Sequence, residues 1–88
     1  MKDSIAAVVV TYNRKELLIG CLGKLLNQTR TPDKIIIIDN ASSDGTLEYL
    51  KDRNYLDNPI VEYVRMNENT GGSGGFHEGI KRSYEAGF

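Results

Sequence analysis

Lys34–Thr46, KIIIIDNASSDGT, is the segment whose reading decides the fold. Its four consecutive isoleucines, 35–38, show no polar alternation, which is the pattern of a strand covered on both faces. The run stops at Asp39, Asn40 and a small polar turn. A buried strand that delivers an acid and an amide at its carboxyl end belongs to a parallel sheet with a crevice at that end. Function is therefore expected near Asp39 and Asn40.

Upstream, Ile5 to Val10 (IAAVVV) is β-branched and wholly apolar, and reads as a second strand buried on both faces. Thr11-Tyr12-Asn13 leaves it. Asn13 followed by Glu16 fits a helix N-cap with its capping-box partner, opening a helix from about Arg14 to Asn27. Leu17, Leu18, Cys21, Leu22, Leu25 and Leu26 recur at helical spacing as its buried face. Gly20 and Gly23 cost that helix roughly 1 kcal/mol each relative to alanine, but would permit close approach to a strand. Pro32 ends the connection.

Downstream, Ala41–Gly45 reads as turn and cap, with Asp44 a candidate cap, for a helix from about Asp44 to Arg53 that turns Leu47 and Leu50 inward. Ile60–Met66 (IVEYVRM) is a strand of mixed polarity, as expected nearer a sheet edge. Asn67–Gly75 (NENTGGSGG) is rich in glycine and opens a third amphipathic helix with Phe76, Ile80 and Tyr84 on one stripe, stopping near Gly87. The β-α-β-α-β-α order predicts an α/β fold: a three-layer, Rossmann-like half with a parallel sheet and right-handed crossovers, in one domain over residues 1–88. Thr11–Arg14, Asp39–Ser42 and Asn67–Gly71 then meet at the carboxyl ends of the strands.

The 88-residue length suits a single domain with a modest core. Eleven basic and twelve acidic residues are spread along the chain for a net charge of −1, leaving no basic stripe for a phosphate backbone and arguing against nucleic acid. Cys21 has no cysteine to pair with and falls in an apolar helical pattern, so it reads as a buried thiol and fits a reducing cytoplasm. The longest apolar run is far short of the ~20 residues that span a bilayer.

The polar segments suit a planar heterocycle. Tyr12 can offer a stacking face, and Asp39 or Asn40 the hydrogen bonds to an edge such as that of uracil or thymine. The competing reading is that Asn13 and Asp44 only cap helices. The glycines of 67–75 could admit backbone amides to a diphosphate, but they follow the third strand, where a dinucleotide fingerprint would follow the first. No Walker A sequence occurs. His77 is the only histidine and has no neighbouring ligand residue in sequence, so a hydrogen-bonding or loop-packing role fits it better than metal binding or catalysis.

VVVTYNR, the leucine-rich helix ending near NQT, IIIIDNASSDGT and NENTGGSGGFHEGI together resemble the N-terminal half of family 2 glycosyltransferases of the GT-A fold. The resemblance runs from about Ile5 to Phe88, and GGSGGF is most similar to rhamnosyltransferase and galactofuranosyltransferase members. It implies transfer of a sugar from a UDP- or dTDP-linked donor to a glycan or lipid-linked acceptor. It carries nucleotide-binding roles onto Thr11, Tyr12, Asn13, Arg14, Asp39, Asn40, Asn67, Asn69 and Gly71. The family's usual second acid is Asn40 here.

The resemblance places the metal-binding D-x-D motif, the catalytic base and the acceptor site beyond Phe88. A divalent cation, Mg or Mn, is thus expected for the parent enzyme with its ligands outside these residues, and no residue is assigned catalysis. The parent is expected in the cytoplasm, with the inner face of the membrane open to it because any anchor would lie elsewhere. In the family the first strand is central, so its edge is expected to be unpaired here and to favour self-association. A non-catalytic nucleotide-binding domain or a structural assembly module is the alternative.

Overall fold

A computed structural model describes residues 5–88. Three strands, β1 (Ala6–Thr11), β2 (Lys34–Asp39) and β3 (Val61–Arg65), form one parallel sheet in the order β1-β2-β3. Helices α1 (Lys15–Leu26), α2 (Thr46–Asp52) and α3 (Gly71–Glu85) connect or follow them, with a short 3-10 turn at Tyr55–Asp57 before β3. None of the described helices is long and apolar enough to cross a membrane.

The isoleucine run is the centre of the sheet, and Ile35 to Ile38 are fully buried. Alternate residues of β2 serve different layers. Ile35 and Ile37 meet Leu18 and Leu22 of α1 and Leu50 of α2, with Ala7, Val9, Leu25, Leu26, Val61 and Tyr63 around them. Ile36 and Ile38 point to the other face, where α3 lies. The result is the expected helix-sheet-helix layering.

Three expectations about burial and packing in β1 and α1 change in the structure. β1 is only half-buried before Thr11, not covered on both sides, because among the described residues it is an edge strand and only β2 has neighbours on both sides. Leu17 is 70% exposed and Cys21 is also exposed, since both fall on the flank of α1 that passes the β1 edge. Gly20 and Gly23 make no close approach: a Cβ at either would meet nothing within 4 Å.

The glycines that do make close contact are in α3. That helix already begins at Gly71, and its Gly75 and Gly79, one turn apart, are buried against β1. A Cβ on Gly75 would lie 2.8 Å from Val10 Cγ1, and one on Gly79 would overlap Val8. Phe76, Ile80 and Tyr84 accordingly face outward at 51%, 48% and 79% exposure. The aromatic stripe is not the packing face.

Candidate functional site

The register aligns Thr11 with Asp39 and Asp39 with Arg65, so all three strands end on one level. The loops that follow them therefore gather at one end of the sheet, where ligands bind in open parallel sheets. Thr11–Arg14, Asp39–Ser42 and Asn67–Gly71 all lie at this end, as expected.

Asp39 and Asn40 are consecutive and project to opposite faces. The Asp39 carboxylate is fully buried on the α2 side. Its Oδ1 accepts the Ser42 amide at 2.9 Å, while Oδ2 accepts the Tyr63 hydroxyl and, at 3.5 Å, Arg65 Nη1. Burial, followed by the hydrogen bond to Asp39 and its charge, pushes the Tyr63 phenol well above its ordinary range. Tyr63 is thus held protonated as a donor to Asp39. Asn40, 2% exposed, turns to the α3 side, accepting Thr70 Oγ1 at 3.0 Å and donating Nδ2 to the Gly71 carbonyl at 2.9 Å.

The first two loops are joined by reciprocal bonds. Asn13, at a left-handed φ of 51°, donates its backbone N–H to Ser42 Oγ at 2.9 Å and accepts the Ser43 backbone N–H on Oδ1 at 2.7 Å. Asn13 is therefore not the α1 cap; Arg14 occupies that position without a side-chain bond. Asp44 serves the helix start instead, accepting the Lys15 amide at 3.3 Å, while its Oδ1 takes the Thr46 hydroxyl at 2.5 Å. The N-cap position of α2 is Gly45, in the left-handed region, so that helix begins at Thr46. Burial raises the Asp44 pKa, but the bonds from Thr46 and the Lys15 backbone outweigh it and leave the carboxyl below its ordinary value.

Around this seam, Tyr12 is 45% exposed and Arg14 is exposed. Thr11 is buried, and its Oγ1 has no hydrogen-bond partner among the described residues. A groove of about 270 Å³ runs beside them, lined in part by Val9, Leu17 and Leu18. On the third loop, Asn67 and Asn69 are exposed, and Asn69 Oδ1 accepts the Gly71 amide at 2.8 Å. His77 is exposed on α3. Among the described residues no three His, Cys, Asp or Glu side chains gather as metal ligands.

The structure brings in Ser42, Ser43, Tyr63, Arg65 and Thr70, which the sequence reading did not single out. Tyr63 and Arg65 had a usable signal: they alternate along β3 in phase with the face that carries Asp39. Ser42 and Ser43 lie inside the decisive segment itself, and their partners across 29 and 30 residues are visible only in the fold.

Comparison with known proteins gives this end of the sheet a context. The glycosyl transferase family 2 model matches residues 6–85. A galactofuranosyltransferase of Mycobacterium tuberculosis is 38% identical over 81 residues, covering 91% of this chain and 26% of that protein. The Mycolicibacterium smegmatis counterpart is 34% identical over 79 residues, covering 89% and 24%. A poly-beta-1,6-N-acetyl-D-glucosamine synthase of Staphylococcus epidermidis is 32% identical over 84 residues, covering 94% and 20%.

Among solved structures, a Pyrobaculum calidifontis mannosyltransferase in complex with GDP-Man and Mn2+ superposes with a TM-score of 0.79 at 22% identity, covering 93% of this chain and 25% of that one. That likeness shows the GT-A fold. The chain spans about a quarter of the length of the curated galactofuranosyltransferases it matches. With the family model matching from the first strand to the last helix, the chain belongs to glycosyl transferase family 2.

Proposed function

We propose that this chain forms the nucleotide-binding part of a glycosyltransferase that moves a sugar from a UDP- or dTDP-linked donor to the hydroxyl of a glycan or lipid-linked acceptor. The observation that carries the reading is the meeting of the three polar loops at the carboxyl ends of parallel strands, with the Tyr12 ring exposed there. Tyr12 offers a face for the base. Thr11 holds a buried hydroxyl, unpartnered among the described residues, beneath this loop, and Arg14 supplies positive charge near the groove. Asp39 acts through its neighbours: with both oxygens engaged, it fixes the 39–42 turn against β3.

Transfer breaks the bond between the sugar and the diphosphate while the acceptor oxygen bonds the anomeric carbon, and a base takes the acceptor proton. No described residue is assigned that base. A divalent cation would stabilise the departing diphosphate. Among the described residues no three His, Cys, Asp or Glu side chains gather to hold it.

Calorimetric titration with UDP, dTDP and NAD tests the reading. Binding of UDP or dTDP in preference to NAD is expected, and Tyr12→Ala should weaken it by ~1–3 kcal/mol, the range for a base stacked on an aromatic ring. Preference for NAD, or no heat with either pyrimidine nucleotide at millimolar concentration, contradicts it.

One observation favours the assembly module as a second reading. Among the described residues β1 pairs only with β2, and its AAVVVT edge carries no charge or proline to block pairing with another strand. Self-association that Val9→Lys abolishes, measured by light scattering, would support it; a monomer at high concentration would count against it.

A further inference from the structure

We propose that Asn40 is a positioning residue: its side-chain amide latches the glycine-rich start of α3 onto the sheet and so sets where the Asn69–Gly71 loop lies at the carboxyl end of the sheet, without reading the ligand. The part of that loop in binding rests on the function proposed above. The latch itself rests on geometry.

Both ends of the Asn40 amide are used, by the Thr70 hydroxyl at 3.0 Å and the Gly71 carbonyl at 2.9 Å, and the residue is 2% exposed. The Gly71 carbonyl can only accept, so Nδ2 must face it, whereas the Thr70 hydroxyl can adapt to either end. This fixes the orientation of the amide. A carboxylate in its place would set a buried acceptor against the Gly71 carbonyl, and a buried group deprived of its partner is costly. The geometry therefore suits an amide where the family resemblance leads one to expect an acid.

The rest of α3 makes Asn40 hard to replace. A Cβ on Gly75 would sit 3.1 Å from Asn40 Nδ2 and 2.8 Å from Val10 Cγ1, so the helix backbone rests directly on the amide and the strand. The large apolar residues Phe76, Ile80 and Tyr84 face away from this contact. The ion pair of Arg82 with Glu62 spans 3.6 Å with the arginine side chain 40% exposed, and pairs of that kind contribute little. The amino-terminal half of α3 thus depends on glycine contact and one buried amide.

Hydrogen exchange by NMR on this chain tests the latch. Asn40→Asp keeps the shape and removes the donor, while Thr70→Val keeps the shape and removes the hydroxyl. Each should speed exchange of the 75–79 amides about tenfold or more, with those of Ile36–Ile38 unchanged and Thr70→Ser behaving as the parent. Thr70→Val decides if Asn40→Asp does not fold. Unchanged protection at 75–79 in Thr70→Val, or equal loss there and in β2, overturns the latch.

UDP titration of the same samples separates the roles at the site. A latch requires Thr70→Val to weaken UDP binding together with Asn40→Asp. Loss in Asn40→Asp alone would make Asn40 a base contact and overturn the positioning role. If the parent chain binds neither UDP nor dTDP, the proposed function fails, and the exchange data still judge the latch.

Discussion

On the α1 and α2 side of the sheet, Leu18, Leu22 and Leu50 close over Ile35 and Ile37; on the α3 side, Ile36 and Ile38 are covered by a helix whose contact face is Gly75 and Gly79. The first layer is held by side-chain area removed from water. The second is held by backbone approach, the Asn40 amide and the ion pair of Arg82 with Glu62 on β3. The difference teaches that equal burial of the central strand on its two faces need not mean equal attachment of the two layers. The layer with few interdigitating side chains is the one expected to open locally, and it carries the third loop of the site.

The largest effect should come from breaking the first layer. Leu22→Ala removes a fully buried side chain and should cost ~2–5 kcal/mol in chemical denaturation, with both layers lost in one transition. The sharper comparison is between glycines. Gly79→Ala would force a methyl into Val8 and should cost ~1–3 kcal/mol by displacing α3, read as lost exchange protection there before β2 responds. Gly20→Ala meets nothing within 4 Å and should instead stabilise α1 by roughly 0.5–1 kcal/mol. Equal penalties at the two positions would break the contrast.

The smallest effect concerns Asp44, which receives the Lys15 amide from a helix 29 residues away. Asp44→Asn should cost about 0.5–1 kcal/mol, the lower range for loss of a cap. Because the folded pKa lies below the ordinary 3.8, the carboxylate's contribution is present above that value and lost as pH falls through the folded one. The gap between Asp44→Asn and the parent should therefore hold steady near neutrality and close under acid. A gap that widens in acid contradicts the assignment.

The strands and their order were legible because apolar β-branched runs interrupted by polar turns leave few other readings. The half-burial of β1 was not, since whether a strand has a neighbour on each side is a property of the sheet and not of IAAVVV. The face of α3 was misread for a related reason. Phe76, Ile80 and Tyr84 show helical periodicity, and so do Gly75 and Gly79, but a hydrophobic pattern registers only the side chains that are present. Two glycines one turn apart were the available signal.

At the site, the three loops were legible from the fold pattern, while the bonding partners were not. Asn13 matches a capping box over four residues, yet it spends its side chain on Ser43, 30 residues on. Asp44 looks like a cap for the helix that follows it, and also takes the first amide of the helix before. Local patterns name the residue type that can bond; only the sheet register decides which partner arrives first.

The central claim is that a nucleotide is held by the loops at the carboxyl ends of β1, β2 and β3. Its most direct test is titration of the isotopically labelled chain with UDP while backbone amide shifts are followed by NMR. The account predicts saturable shifts confined to Thr11–Arg14, Asp39–Ser43 and Asn67–Gly71. Shifts centred on the opposite end of the sheet, or none at millimolar UDP or dTDP, would contradict it.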